Sequence, residues 1–150
     1  MSSMKDLINN IKTFLEADID ADLIDAVKPV NKGLPEDPTV IPFSKMPYIA
    51  LGDGGERVED NESQSAQTRY YSVIFVFAAW EPNLSNALDK TLDLSEQVKT
   101  SIEKQANRQL DSHVWGVNIL PFDWNDEKGF YVGRQVVVDF IELETRFEDY

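Results

Sequence analysis

The chain has 150 residues with 14 basic and 27 acidic side chains, giving a formal net charge of −13. This length is typical of one domain, residues 1–150, which can bury a substantial core without disulfides. The negative charge disfavours a nucleic-acid binder or a protein that docks on an anionic membrane. With no cysteine and one histidine, thiolate chemistry is excluded and a histidine-rich metal site is disfavoured.

Two amphipathic helices are predicted from apolar residues spaced three and four positions apart. The first runs from Ser3 to Leu15, and the second runs from Leu84 to Gln109. The predicted buried stripe of the second helix contains Leu84, Leu88, Thr91, Leu92, Ser95, Val98, Ile102 and Ala106.

The segment from Pro29 to Pro47 contains five of the seven prolines. No regular element tolerates that density of proline. Because Ile41 and Met46 are apolar, we expect an ordered, irregular segment that packs against the rest of the chain.

Runs of residues with high β-propensity, bounded by turn residues, predict four strands and two longer loops. The loops are an acidic one from Glu56 to Gln67 and a turn-rich one from Pro121 to Gly129. The predicted strands are Tyr48 to Leu51, Thr68 to Trp80, Val114 to Leu120, and Phe130 to about Arg146.

This order of elements predicts an α+β fold with a mostly antiparallel four-stranded sheet. The N-terminal helix and the long helix pack on one face of it. The strand from Thr68 to Trp80 is apolar at both odd and even positions, which predicts burial of both its faces. The second face is covered either by the proline-rich segment or by a second subunit, and the pattern does not choose between them.

The aromatic residues of the central strand and of the last loop are candidate interface residues, since no basic cluster surrounds them as in a nucleic-acid stacking platform. Packing within the subunit is the alternative for each of them. The candidates, with one neighbouring arginine, are Tyr70, Tyr71, Phe75, Phe77, Trp80, Phe122, Trp124, Phe130, Tyr131 and Arg134.

No catalytic residue, metal ligand or cofactor site is predicted, and we expect a protein that is not an enzyme. The run Asp111-Ser112-His113 has the residue types of a hydrolytic triad, but adjacent side chains do not converge. The acidic run from Asp18 to Asp22 has Leu23 and Pro29 where a calcium loop requires glycine and glutamate. We interpret that run as a solvated acidic turn.

The chain resembles the tail-terminator (tail-completion) proteins of long-tailed bacteriophages in the order, size and patterning of its elements. The resemblance includes the amphipathic first helix and the long second helix. The matching sequence features are Pro47-Tyr48-Ile49 running into Gly52, Arg69-Tyr70-Tyr71 at the start of an apolar strand, and a closing hairpin that ends in Glu144-Thr145-Arg146-Phe147.

The resemblance implies a structural protein that forms a ring of six subunits on the last ring of the tail tube. Such a ring ends tube polymerisation and joins the tube to the head-side connector protein. DNA would pass through an acidic lumen without specific binding. The implied partners are other copies of the chain, the tail-tube protein and the connector. The implied location is the virion after assembly in the host cytoplasm, with no membrane contact.

Three other functions remain as alternatives. A head–tail joining or stopper protein of the same neck shares the size and the ring geometry. A small α+β ligand-binding or enzymatic domain would need a pocket between helix and sheet. A DNA mimic is suggested by charge alone.

Overall fold

The computed structural model describes residues 4–34, 41–60, 66–104, 113–115, 122–126 and 129–145. Two helices and a six-stranded sheet form an α+β fold. The predicted α+β class is therefore confirmed, and the described part of the sheet contains two short strands in addition to the four predicted.

Helix α1, Met4–Asp20, is longer at its C-terminal end than predicted. It ends in a Schellman motif: the N–H of Leu23 bonds to the Asp18 carbonyl and the N–H of Asp22 bonds to that of Ile19. Asp22 has the left-handed conformation, φ 61°, that this ending requires. The acidic run that we expected as a separate turn is thus mostly the last turn of α1.

Helix α2, Leu84–Lys104, begins where predicted. Its first turn is capped by Asn83, whose Oδ1 accepts a hydrogen bond from the N–H of Asn86 at 3.3 Å. Residues 105–109, the predicted end of this helix, lie outside the described residues.

The described strands are β1 (Asn31–Lys32), β2 (Tyr48–Asp60), β3 (Ala66–Glu81), β4 (His113–Trp115), β5 (Phe122–Asp126) and β6 (Gly129–Thr145). The sheet has the order β1-β2-β3-β6, and β4 and β5 both pair with the remaining edge of β6. The first pair, β1–β2, is parallel and every other described pair is antiparallel. The mostly antiparallel sheet is therefore confirmed, with a parallel first pair that the sequence did not indicate.

Strand β2 does not stop at Gly52, and that prediction was wrong. A bulge between Asp53 and Glu56 absorbs the glycines, and the strand continues along β3 to Asp60. Gly55 has φ +99°, and its N–H bonds to Oδ1 of Asp53 at 2.8 Å. Because β2 and β3 pair with each other here, all of the described residues of the expected acidic loop, 56–60 and 66–67, are strand.

The predicted loop from Pro121 to Gly129 contains a strand, β5, which forms a hairpin with β6. Gly129 closes it by packing against the end of β3: a Cβ there would lie 2.6 Å from the Glu81 carbonyl oxygen and 2.7 Å from Cζ2 of Trp80. Of the predicted strand from Val114 to Leu120, only the part in β4 is described.

The main core lies between the sheet and the two helices, which pack on the same face. Helix α1 lies over β2, and α2 lies over β3 and β6. This placement of both helices confirms the prediction. The largest fully buried side chains of this layer are Leu7, Ile11, Leu15, Ile49, Leu51, Tyr71, Phe75, Phe77, Leu94, Ile102 and Phe140.

A smaller core covers part of the second face of the sheet. Met46 and the partly buried Ile41, both from the proline-rich segment, pack there with Val76, Ala78 and Tyr131. The proline-rich segment is therefore the cover for this part of the face. Its residues 35–40 lie outside the described residues.

Candidate interaction surfaces

The part of the second face that this cover does not reach carries a polar cluster, which consists of Arg57, Glu59, Tyr70, Ser72 and Asp139. The Ser72 hydroxyl donates a hydrogen bond of 2.6 Å to Oδ1 of Asp139. Nη1 of Arg57 lies 3.7 Å from Oδ2 of Asp139, and the guanidinium stacks 4.1 Å from the Tyr70 ring centroid. These groups pair with one another, so the cluster links β2, β3 and β6 across the face.

Helix α2 carries a leucine stripe: Leu84, Leu88 and Leu92, spaced one turn apart and exposed by 43%, 42% and 37%. The prediction that they belong to the buried stripe was wrong. The helix instead rests on a neighbouring stripe that includes Ala87 and Leu94. Ala87 and Leu94 lie on the side of α2 that faces the sheet, and the three leucines lie on the adjacent flank, where they are exposed.

The leucine stripe lies on the flank of α2 that faces away from α1. On the opposite flank, Oε1 of Gln97 accepts the backbone N–H of Asp25 at 2.9 Å, and Ser101 bonds to Asp18 of α1. Leu88 and Gln97 are separated by two and a half helical turns, so they point in opposite directions. Two exposed acidic residues, Asp89 and Glu96, border the stripe on its solvent side, and the partly buried Lys99 lies two turns beyond Leu92 on the same side of the helix.

A groove of about 370 Å³ runs between α1 and the β1 edge of the sheet. Its apolar lining comes from Met4, Ile8 and Leu51. Two exposed lysines, Lys5 and Lys32, and one exposed carboxylate, Asp53, also line it. We name this feature the lysine groove.

A second lysine-containing cavity, of about 290 Å³, lies under the proline-rich segment beside Tyr48. Burial raises the pKa of the Tyr48 hydroxyl. The hydrogen bond and charge of Asp20, 2.7 Å away, raise the pKa of Lys28 at this cavity.

Asp18 differs from its expected role as part of a solvated turn, because it is 3% exposed. Its carboxylate accepts a hydrogen bond from the buried hydroxyl of Ser101, which ties the end of α1 to α2. Within the described ranges, no three His, Asp or Glu side chains gather as metal ligands. His113 starts β4, whereas Asp111 and Ser112 lie outside the described residues.

The predicted interface residues fall into three groups. Tyr71, Phe75 and Phe77 are completely buried under the helices of their own subunit, so packing inside the subunit accounts for their apolar character. Phe122 and Trp124 lie in β5, where only their backbone register against β6 is described. The remaining five are on β3 and β6: Tyr131 is buried, and Tyr70, Trp80, Phe130 and Arg134 are partly exposed.

The structure thus adds two surfaces that the sequence analysis missed, the leucine stripe and the lysine groove. A helical wheel centred on Ala87 and Leu94 would have found the stripe. The groove depends on the parallel β1–β2 pair, for which the sequence gives no signal.

The sequence matches no protein-family model, and it has no significant match among curated proteins. No helix in the described part of the chain combines the length and the apolar character needed to cross a bilayer.

Proposed function

We propose that this protein is a structural subunit of a bacteriophage neck, a tail terminator that forms a ring on the end of the tail tube. The observation that carries the proposal is the apolar surface that the subunit leaves uncovered, above all the leucine stripe of α2. Exposed leucines in a continuous row on a small domain are typical of a contact surface, whereas scattered ones are not.

The negative charge supports a ring through which DNA passes. Beyond the bulge of β2, the side chains of residues 56–59 are all exposed, and they include Glu56 and Glu59. A ring of subunits that each carry a net charge of −13 repels phosphate from its lumen and lets the duplex slide. The acidic strand end from Glu56 to Asp60 and the β5–β6 hairpin are the two segments that we assign to the axial faces of the ring.

The ring would end polymerisation because its two axial faces differ. One face binds the last ring of tube protein, and the other presents a different surface to the head-side connector. A closed ring of identical subunits requires a head-to-tail contact between neighbours. A subunit with different surfaces on its two flanks meets this requirement.

The test is the native mass of the purified protein, measured alone and with tail-tube protein, followed by electron microscopy of the mixture. We expect a six-subunit ring at one end of each tube and tubes that stop growing. Leu88→Asp should abolish the ring. Leu23→Asp is the matched control, since Leu23 is 51% exposed outside the stripe.

Two results would change the assignment. Binding to the connector with no effect on tube growth would favour a head–tail joining or stopper protein. Failure to associate with itself, the tube protein and the connector would overturn the neck proposal.

A further inference from the structure

The leucine stripe and the lysine groove share two properties that suit a mutual contact. The stripe offers three exposed leucines, and the groove offers an apolar lining in which Ile8 is partly exposed while Met4 and Leu51 are buried. The charges that predominate at the two borders have opposite sign. The stripe is bordered by Asp89 and Glu96, and the groove carries two lysines, Lys5 and Lys32, against one carboxylate, Asp53.

The positive charge at the groove is unusual for this chain, whose acidic residues outnumber basic ones by 27 to 14. Lys5 and Lys32 are both exposed, and Nζ of Lys32 donates to the neutral Oδ1 of Asn9 at 2.9 Å. The lysines therefore keep their charge available for a partner. A partner that presents carboxylates around an apolar ridge is complementary to this groove.

The two surfaces lie on opposite flanks of the subunit. The lysine groove lies at the β1 edge, on the outer side of α1. The leucine stripe lies on the side of α2 away from α1, towards the outer edge of β6. A contact between them must join two different molecules, and each molecule keeps one free flank for the next.

We infer that the leucine stripe of one copy docks in the lysine groove of a second copy, in a head-to-tail contact. Stripe-to-stripe contact would oppose two acidic borders, and groove-to-groove contact would oppose two pairs of lysines, so both are disfavoured. The contact itself needs only two copies, but the closure of successive contacts into a ring rests on the proposed function. The stripe and the groove would then form the interface between neighbouring subunits of that ring.

The absence of cysteine from the chain makes site-specific cross-linking a clean test. Leu88→Cys is prepared in a short-tagged form and Lys5→Cys in a long-tagged form. The two are mixed with a short bis-maleimide linker, with and without tail-tube protein. We expect a mixed cross-linked dimer and several-fold less of either homodimer. The control pair, Leu23→Cys with Lys45→Cys, uses exposed positions outside both surfaces.

Two outcomes of the cross-linking overturn the inference. A Leu88→Cys homodimer as abundant as the mixed dimer indicates a symmetric contact of two stripes. A mixed dimer no more abundant than that of the control pair, in both conditions, shows that the two surfaces do not meet. Far-UV circular dichroism verifies that each variant is folded.

Charge reversal gives a second, independent readout. Lys5→Glu with Lys32→Glu should weaken self-association by about tenfold or more, because two attractive contacts become repulsive. Adding Asp89→Lys and Glu96→Lys in the partner copy should restore it. Lys45→Glu with Lys104→Glu, the same charge change elsewhere, should leave association close to wild type. Failure of the reversed pair to restore binding contradicts the inference.

The failure of this inference can be told apart from failure of the proposed function. If the stripe and groove variants still cap tail tubes as rings, the neck function stands and the interface between subunits lies elsewhere. If cross-linking detects the head-to-tail contact but no tube is capped, the stripe-to-groove interface is supported and the neck function fails.

Discussion

The two faces of β3 have similarly apolar sequences, but the protein covers them differently. On the helix face, Phe75 and Phe77 are completely buried by α1 and α2. On the second face, Val76 and Ala78 are buried, whereas Tyr70 and Ile74 stay partly exposed. An apolar strand thus indicates how much surface requires burial, but it does not indicate which element provides the cover.

The largest effect expected from this comparison is that of Phe75→Ala. Removing a completely buried ring beneath both helices should lower the free energy of unfolding by about 3–5 kcal/mol. Ile74→Ala, the neighbouring residue on the second face, should cost about 1 kcal/mol, because Ile74 is already partly solvated. Urea denaturation of both variants measures the difference. Equal losses would contradict the unequal cover of the two faces.

A smaller difference is expected between the two stripes of α2. Leu94→Ala should lower the free energy of unfolding by about 2–4 kcal/mol, since Leu94 is 1% exposed. Leu88→Ala should change it by less than about 0.5 kcal/mol in the isolated subunit. Thermal unfolding at low protein concentration is the appropriate measurement. A large loss for Leu88→Ala under those conditions would place the leucine stripe in the core of its own subunit.

The polar cluster on the second face should contribute less than the apolar core. Ser72→Ala removes the hydrogen bond to Asp139 and should cost about 1–2 kcal/mol, because the carboxylate stays partly buried without its donor. Ser85→Ala, on the exposed surface of α2, is the control and should be close to neutral. If chemical denaturation finds no cost for Ser72→Ala, the cluster does not fasten β3 to β6.

The smallest expected effect depends on pH and concerns Glu16 of α1, which lies on the helix face of the sheet. Burial alone would raise the pKa of Glu16. The hydrogen bonds from Lys12 and the N–H of Val30, with the charges of Lys12 and Lys28, outweigh burial and lower it. A lowered carboxyl pKa stabilises the fold above the ordinary value of 4.5, and this contribution is lost as the pH falls further, through the folded-state pKa.

Glu16→Gln should therefore lower the free energy of unfolding by about 1 kcal/mol at neutral pH. The difference from wild type should shrink as the pH falls below 4.5 towards the lowered pKa. Denaturant unfolding at a series of pH values tests this. A difference that stays constant across the series would show that the charge of Glu16 is not the cause.

The sequence predicted those parts of the fold that depend on local periodicity. Both helices, the central strand and the closing strand follow from apolar spacing, so their order was predictable. The extension of β2 beyond Gly52 was not, because it depends on a partner strand and on a bulge that tolerates two glycines. The parallel β1–β2 pair was not predictable either, since two residues form no pattern.

The interaction surfaces were less predictable than the fold. By residue type, Leu88 and Leu94 are equally suited to the core. Only the packing of α2 against the sheet decides which of the two is buried. The lysine groove joins residues from α1, β1 and β2, which lie far apart along the chain. Tyr70, Trp80 and Phe130, which were selected from the aromatic pattern, are partly exposed, and their place in an interface stays a prediction.

Gly129 has a mechanical consequence. Gly129, the first residue of β6, lies so close to the indole of Trp80 and the carbonyl of Glu81 that a Cβ has no room there. Because β6 also pairs with β3 from Phe130 to Thr145, the β5–β6 hairpin is held firmly to β3. A force applied to this hairpin by a neighbouring molecule would be transmitted stiffly to the middle of the sheet. If the neck proposal holds, such a rigid joint would keep the subunit from shearing along its hairpin.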